Sequence, residues 1–275
     1  MIKDIVVNLG LGERDPAGEY AVSMAEAFEA HVLGTAFAYE PIIPGAAMGG
    51  VAAQYLDAQR RDAGDKARAA IARFTEAARR AGISFETRVM ETSISGAADQ
   101  LGQIARRFDI AVVGQANRQQ AMPDEVVDEG VLFASGRPVV FVPFIQKGGL
   151  KLGRAMIAWD GSRAAARAVA DSLPLLGKAK TVEIVIVGSK ESKPDQLPGA
   201  DLAEHLARHG LTVEVKRITA SEIDVAAAIL SYAADSGADL IVMGGYGHSR
   251  LREFVLGGVT RGILGSMTVP VLMSH

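Results

Sequence analysis

At 275 residues, with 49% hydrophobic and 22% charged side chains, the chain has the makeup of a folded globular protein with room for two domains. A formal net charge of −3 supplies no field that would draw it to nucleic acid or anionic lipid, and the longest apolar runs reach about half the length that crosses a bilayer. Cysteine is absent, which excludes disulfides, thiol chemistry and cysteine-ligated metals and fits a reducing cytoplasm.

In chain order, Lys3–Leu9 opens the sequence as a buried strand, where a secretory leader would need a basic segment and a long apolar one. Gly10-Leu-Gly12-Glu-Arg-Asp15 half matches a dinucleotide fingerprint, but the third glycine is missing and Asp-Pro follows, so it reads as a loop. Val32–Ala38 is a second strand. Pro41–Gly50 is an apolar loop that serves as a lid or packs against the other half, and it runs into a long charged helix from about Val51 to Arg80. Phe108–Gly114 and Arg137–Val142 read as further strands, and the polar, glycine-paired stretch Phe144–Leu150 reads as a linker.

The same pattern then repeats. Arg154–Asp160 matches Lys3–Leu9, Val182–Gly188 matches Val32–Ala38, Ala238–Gly244 matches Phe108–Gly114, and Val269–Met273 matches Arg137–Val142. Between these strands, Ala164–Leu176 and Val225–Ser236 carry helical periodicity, with Ser162 and Ser221 as N-cap candidates. Continuous apolar strands alternating with helices imply parallel pairing under helices on both faces. The expected fold class is therefore α/β, with two tandem Rossmann-like domains at 1–145 and 151–275, each a five-stranded parallel sheet.

Ligands of open parallel sheets bind beyond the carboxyl ends of the strands, at the point where strand order reverses. In the second copy three features meet at that edge. Asp160 ends the first strand, Val187 and Gly188 end the second, and Met243-Gly244-Gly-Tyr246-Gly247 ends the fourth, followed by Gly257-Gly258-Val259-Thr260 at a helix start. A carboxylate accepts bonds from a base amino group or a ribose hydroxyl, and main-chain N–H groups at glycine turns and helix N-termini bind phosphate. Tyr246 either stacks on the ligand or packs over the turn.

These residues resemble the universal stress protein (UspA) family, and the likeness covers both halves. Its nucleotide signature is Gly, two residues, Gly, nine residues, Gly, then Ser or Thr, and that spacing falls on Gly244, Gly247 and Gly257. The resemblance implies ATP, AMP or ADP as ligand, with Mg accompanying a triphosphate. It places adenine and ribose at Asp160 and Val187, and phosphates at Gly258, Val259 and Thr260. It also implies a stress-response regulator acting on an unidentified protein partner, with at most slow ATP hydrolysis. Lone family domains pair through their final strands, so a tandem chain is expected to form an internal pseudo-dimer along Val139–Val142 and Val271–Met273, with a homodimer also open. The chain departs from the signature at Gly258, where Ser or Thr is the family pattern. The first copy has Leu9 against Asp160 and Gly114-Gln-Ala-Asn117 against the glycine turn, so its motif is degenerate.

Other signals are set aside on physical grounds. There is no P-loop and no nucleophile elbow in the sequence. His205 and His209 lie four apart before Gly210, where a helix C-terminus favours positive charge as readily as a metal would. His248, inside the signature, reads as a loop histidine or a phosphate contact.

Overall fold

The computed structural model describes residues 1–41, 53–116, 124–188, 199–219, 224–246 and 258–275. Among the sequence features, the 42–50 part of the apolar loop, Ser221, Gly247, His248 and Gly257 lie outside the described residues. The chain divides into two compact units, one of 2–135 with 147–150 and the other, Met1 aside, of 136–146 with 151–275.

The first unit holds β1 (Asp4–Asn8), α1 (Pro16–Phe28), β2 (His31–Tyr39), α2 (Ala53–Ala81), β3 (Phe85–Thr92), α3 (Ile94–Ala105), β4 (Ile110–Gly114) and α4 (Asp124–Ser135). Its strands run parallel in the order β3-β2-β1-β4. Ile5, Val6 and Val7 of β1 and Val112 and Val113 of β4 have no solvent exposure, as continuous apolar strands under two helical layers require. The charged α2 buries only a stripe of small residues and one ring, Ala67, Ala70, Phe74 and Ala78, which pack over β2 and β3.

The second unit holds β5 (Val139–Val142), β6 (Arg154–Ala158), α5 (Arg163–Leu176), β7 (Thr181–Gly188), α6 (Ala200–Arg208), β8 (Val213–Thr219), α7 (Val225–Ser236), β9 (Leu240–Gly244), α8 (Gly258–Ser266) and β10 (Val271–Ser274). Five strands run parallel in the order β10-β9-β6-β7-β8. β5 completes this sheet by lying antiparallel to β10, with Val271 opposite Phe141 and Met273 opposite Val139. The last strand of the first sequence copy thus belongs to the compact unit of the second.

Two strands that the apolar pattern leaves unnamed, β3 and β8, occupy edges. Their sequences, FETRVMET and VEVKRIT, alternate or carry charge because only one neighbour and part of one face cover them. A buried carboxylate interrupts β7. Glu183 is 2% exposed and is satisfied by the Arg154 guanidinium and by the Tyr232 hydroxyl, which donates at 3.2 Å. α5 starts at the expected cap, since Ser162 Oγ accepts the Ala165 N–H at 3.1 Å. For α7 the cap is Asp224 rather than Ser221: the Asp224 carboxylate accepts the Ala226 N–H at 3.2 Å. A carboxylate beside the first turn satisfies an orphan donor and opposes the helix dipole, so the nearer residue prevails.

The hydrogen bonds also correct the register of the repeat. Asp109 donates its N–H to Asp4 O, and Asp239 donates its N–H to Arg154 O. Leu9 N–H donates to Thr35 O, just as Trp159 N–H donates to Val185 O. Leu9 therefore corresponds to Trp159, and Gly10 rather than Leu9 corresponds to Asp160. Two apolar runs align almost equally well one residue apart; the ladder fixes which alignment holds.

Candidate functional site

In the second unit the strand order reverses between β6, which leads on to β7, and β9, which leads back to β10. The crevice beyond the carboxyl ends of β6 and β9 is where such a sheet presents a ligand site. Asp160 stands just past β6. One oxygen accepts the Ser162 N–H at 2.9 Å, Gly161 turns the chain at φ +74°, and the aspartate remains solvent-exposed. The carboxylate is thus fixed by its own loop at the sheet edge.

β7 outlasts β6. The last bond between them runs from Trp159 N–H to Val185 O, and β7 continues for three residues to Gly188. Backbone polar groups alternate sides along a strand, so Val187 turns its N–H and C=O the same way as Val185, toward the space where β6 has ended. The Asp160 carboxylate and the Val187 main chain therefore border one crevice.

The far wall is the end of β9. Met243 is buried and pairs with Met273, and Gly244 follows it. A Cβ on Gly244 would lie 2.5 Å from Ala165 N and 2.7 Å from Ala164 C. The glycine is therefore required by the first turn of α5, which presses on the strand end. Tyr246 is buried with φ +50°, and its N–H donates to Thr260 Oγ1 at 3.2 Å. The Thr260 hydroxyl accepts from the turn, and the residue is 7% exposed. Gly258 begins α8, is exposed, and has no atom within 4 Å of a Cβ built on it; Val259 beside it is half-buried. The structure thus brings together Asp160, Val187, Met243, Gly244 and Tyr246 with the start of α8, while Gly247 and Gly257 lie outside the described residues.

The matching edge of the first unit is built differently. Arg73 of α2 donates to Gly10 O at 3.2 Å and to Gly12 O at 2.6 Å. Leu9, 2% exposed, lies in the same corner, within reach of Gly34 and Gly18. Asp15 caps α1 by accepting the Gly18 N–H at 3.1 Å. Burial pushes its carboxyl up to about 6, against the lowering effect of the Gly18 and Gly10 N–H groups and of Arg73, with Glu19 adding to the rise. A carboxylate whose folded value is raised binds more protons folded than unfolded between about pH 4 and 6, so stability falls as pH rises through that window. Asp15→Asn keeps a cap and abolishes this dependence. Denaturant unfolding from pH 4 to 7 is expected to show wild type losing on the order of 2–3 kcal/mol relative to the variant. Parallel profiles for the two proteins would refute it.

His205 and His209 lie edge to face at the end of α6, with ring centres 4.8 Å apart. Among the described residues no group of three or more His, Cys, Asp or Glu is arranged to hold a metal ion. No described helix is long and apolar enough to cross a membrane.

A parallel sheet with helices on both faces and a ligand crevice at its switch point defines a Rossmann-like α/β protein. The model of the universal stress protein family matches residues 152–275 of this chain. A universal stress protein of Synechocystis is 26% identical over 186 residues, an alignment spanning 63% of this chain and 60% of that relative's length. Among solved structures, a universal stress protein from Archaeoglobus fulgidus superposes over 98% of this chain and 94% of its own with a TM-score of 0.70 at 18% identity. A second, from Pseudomonas aeruginosa, covers 98% and 92% with a TM-score of 0.57 at 15% identity. At these identities the likeness of the solved structures bears on fold alone, and it extends over both halves.

Proposed function

We propose that this protein binds ATP or a related adenine nucleotide in its C-terminal domain and acts as a nucleotide-responsive regulator of a stress response in the cytoplasm. The observation that carries this reading is the exposed Asp160 carboxylate, fixed by Ser162 N–H just past β6 at the switch point, next to the strand end where the Val187 main chain is open. A carboxylate suits the ribose hydroxyls, and a strand's free-facing N–H and C=O suit the edge of a purine. The first turn of α8 offers main-chain donors to phosphate where Gly258 leaves open space. These fit a nucleotide; Asp160, Val187 and the first turn of α8 would hold it.

The reading assigns no catalytic residue. Gly258 brings no hydroxyl to the phosphates, and the Thr260 hydroxyl accepts from Tyr246 N–H. We read the antiparallel β5–β10 pairing as the internal counterpart of the strand pairing by which lone family domains associate. The degenerate edge of the first unit, with Arg73 bonded to the carbonyls of Gly10 and Gly12, then serves as scaffold.

Calorimetric titration with ATP and AMP tests this. Wild type is expected to bind in the micromolar to millimolar range, and Asp160→Ala to lose about tenfold or more, the value of a charge-assisted hydrogen bond. A wild-type protein silent at millimolar nucleotide would sink the proposal.

A further inference from the structure

The two residues that follow the Gly244 strand end are held from two directions. Gly245 N–H donates to Ser274 O at 2.9 Å, and Gly245 O lies 3.1 Å from His275 Nδ1, which as the partner of a carbonyl must carry the proton. Tyr246 N–H donates to Thr260 Oγ1 across 14 positions of sequence. Three main-chain polar groups of the turn are thus bonded, one to Ser274 of β10, one to His275 just past it and one to α8. The Ser274 and Thr260 contacts lie inside the protein, since Ser274 is 2% exposed and Tyr246 and Thr260 are each 7% exposed, while His275 is exposed.

The turn needs such restraint. Tyr246 adopts φ +50°, the left-handed region that a bulky side chain enters only at a cost. Left alone, a tyrosine here would relax to an extended or right-handed backbone, and the direction in which the chain leaves β9 would change. The Tyr246–Thr260 bond also joins the two sides of the glycine signature, since Gly247 follows Tyr246 directly and Gly257 precedes Thr260 by three residues. The threonine oxygen that looks in sequence like a phosphate contact accepts from the turn, and its O–H remains a donor.

We propose that Thr260 and His275 are positioning residues of the nucleotide site, holding the Gly245–Tyr246 turn in its left-handed form and so fixing the start of α8 relative to β9. This inference rests on the nucleotide reading above. The turn and the start of α8 are joined without a ligand, so binding does not have to bring them together. Because two of the bonds end on Ser274 of β10 and on His275 just past it, the same clamp links the site to the strand that pairs with β5.

The test combines ATP titration with amide exchange at Tyr246 in the absence of nucleotide. Thr260→Val keeps the shape and removes the acceptor; Thr260→Ser keeps the acceptor. Thr260→Val is expected to speed exchange at Tyr246 at least tenfold and to weaken ATP about tenfold, while Thr260→Ser stays within about twofold of wild type on both. Adding Tyr246→Gly to Thr260→Val should recover much of the affinity, because glycine occupies positive φ without strain. A purely structural role would not show that rescue. Should Thr260→Val fail to fold, His275→Phe at an exposed position probes the other side of the clamp and is expected to weaken ATP severalfold. Variants that bind ATP like wild type overturn the inference alone. A wild type that binds no nucleotide overturns the functional reading, and this inference with it.

Discussion

Produced alone, residues 151–275 are expected to self-associate and to unfold at a lower temperature than residues 136–275. The longer fragment keeps β5, whose Val139, Val140, Phe141 and Val142 are each at most 1% exposed. Burying one such side chain contributes roughly 1.5–3 kcal/mol, so four contribute on the order of 6–12 kcal/mol. That is comparable to the whole net stability of a domain, about 5–15 kcal/mol. Without β5, the apolar β10, with Val271, Leu272 and Met273 now fully buried, becomes an unpaired edge that a second copy can cover in the same antiparallel register. A monomeric 151–275 fragment as stable as 136–275 would refute this.

Gly258→Ser is expected to tighten ATP binding about tenfold and to leave adenosine binding nearly unchanged. A charge-assisted hydrogen bond contributes about 1.5–3 kcal/mol, and each 1.4 kcal/mol is tenfold in affinity. The substitution meets no steric resistance, because a Cβ at this position has no atom within 4 Å. Serine is also a better residue than glycine near a helix start, so stability should not fall. Tighter binding of adenosine by the same factor would place the new hydroxyl elsewhere than on phosphate, and unchanged ATP binding would mean that the start of α8 does not face the phosphates.

The parts of this architecture legible in sequence are those written in runs of one residue type. The buried strands around Val6, Val112, Ile184 and Val242 are continuous apolar segments, and α7 begins and ends where its alanine pattern does. The edge strands were illegible because partial cover lets Glu86, Arg88, Lys216 and Arg217 interrupt the pattern. The carboxylate at Asp160 and the glycine spacing are legible as a candidate site. What sequence could not supply was which partner each polar group takes. Thr260 and Tyr246 are bonded across 14 positions, and nothing local announces it. Gly244 reads as a glycine left for a ligand, yet the atoms nearest its missing side chain belong to Ala164 and Ala165. The grip of Arg73 on the Gly10 loop joins residues about 60 apart and is likewise visible only in the fold.

The placement of β5 also sets an order of events during synthesis. This strand is made midway along the chain, but its antiparallel partner β10 is translated about 130 residues later. While the ribosome works through the second copy, Val139–Val142 is an apolar strand without that neighbour, and β10 arrives only after β6 and β9 exist to receive its other edge. The first unit can close early around β1, β2 and β4, but the second cannot be finished until both ends of its sheet have emerged. The duplicated chain is therefore not two beads folded in turn: its midpoint has to wait for its last strand.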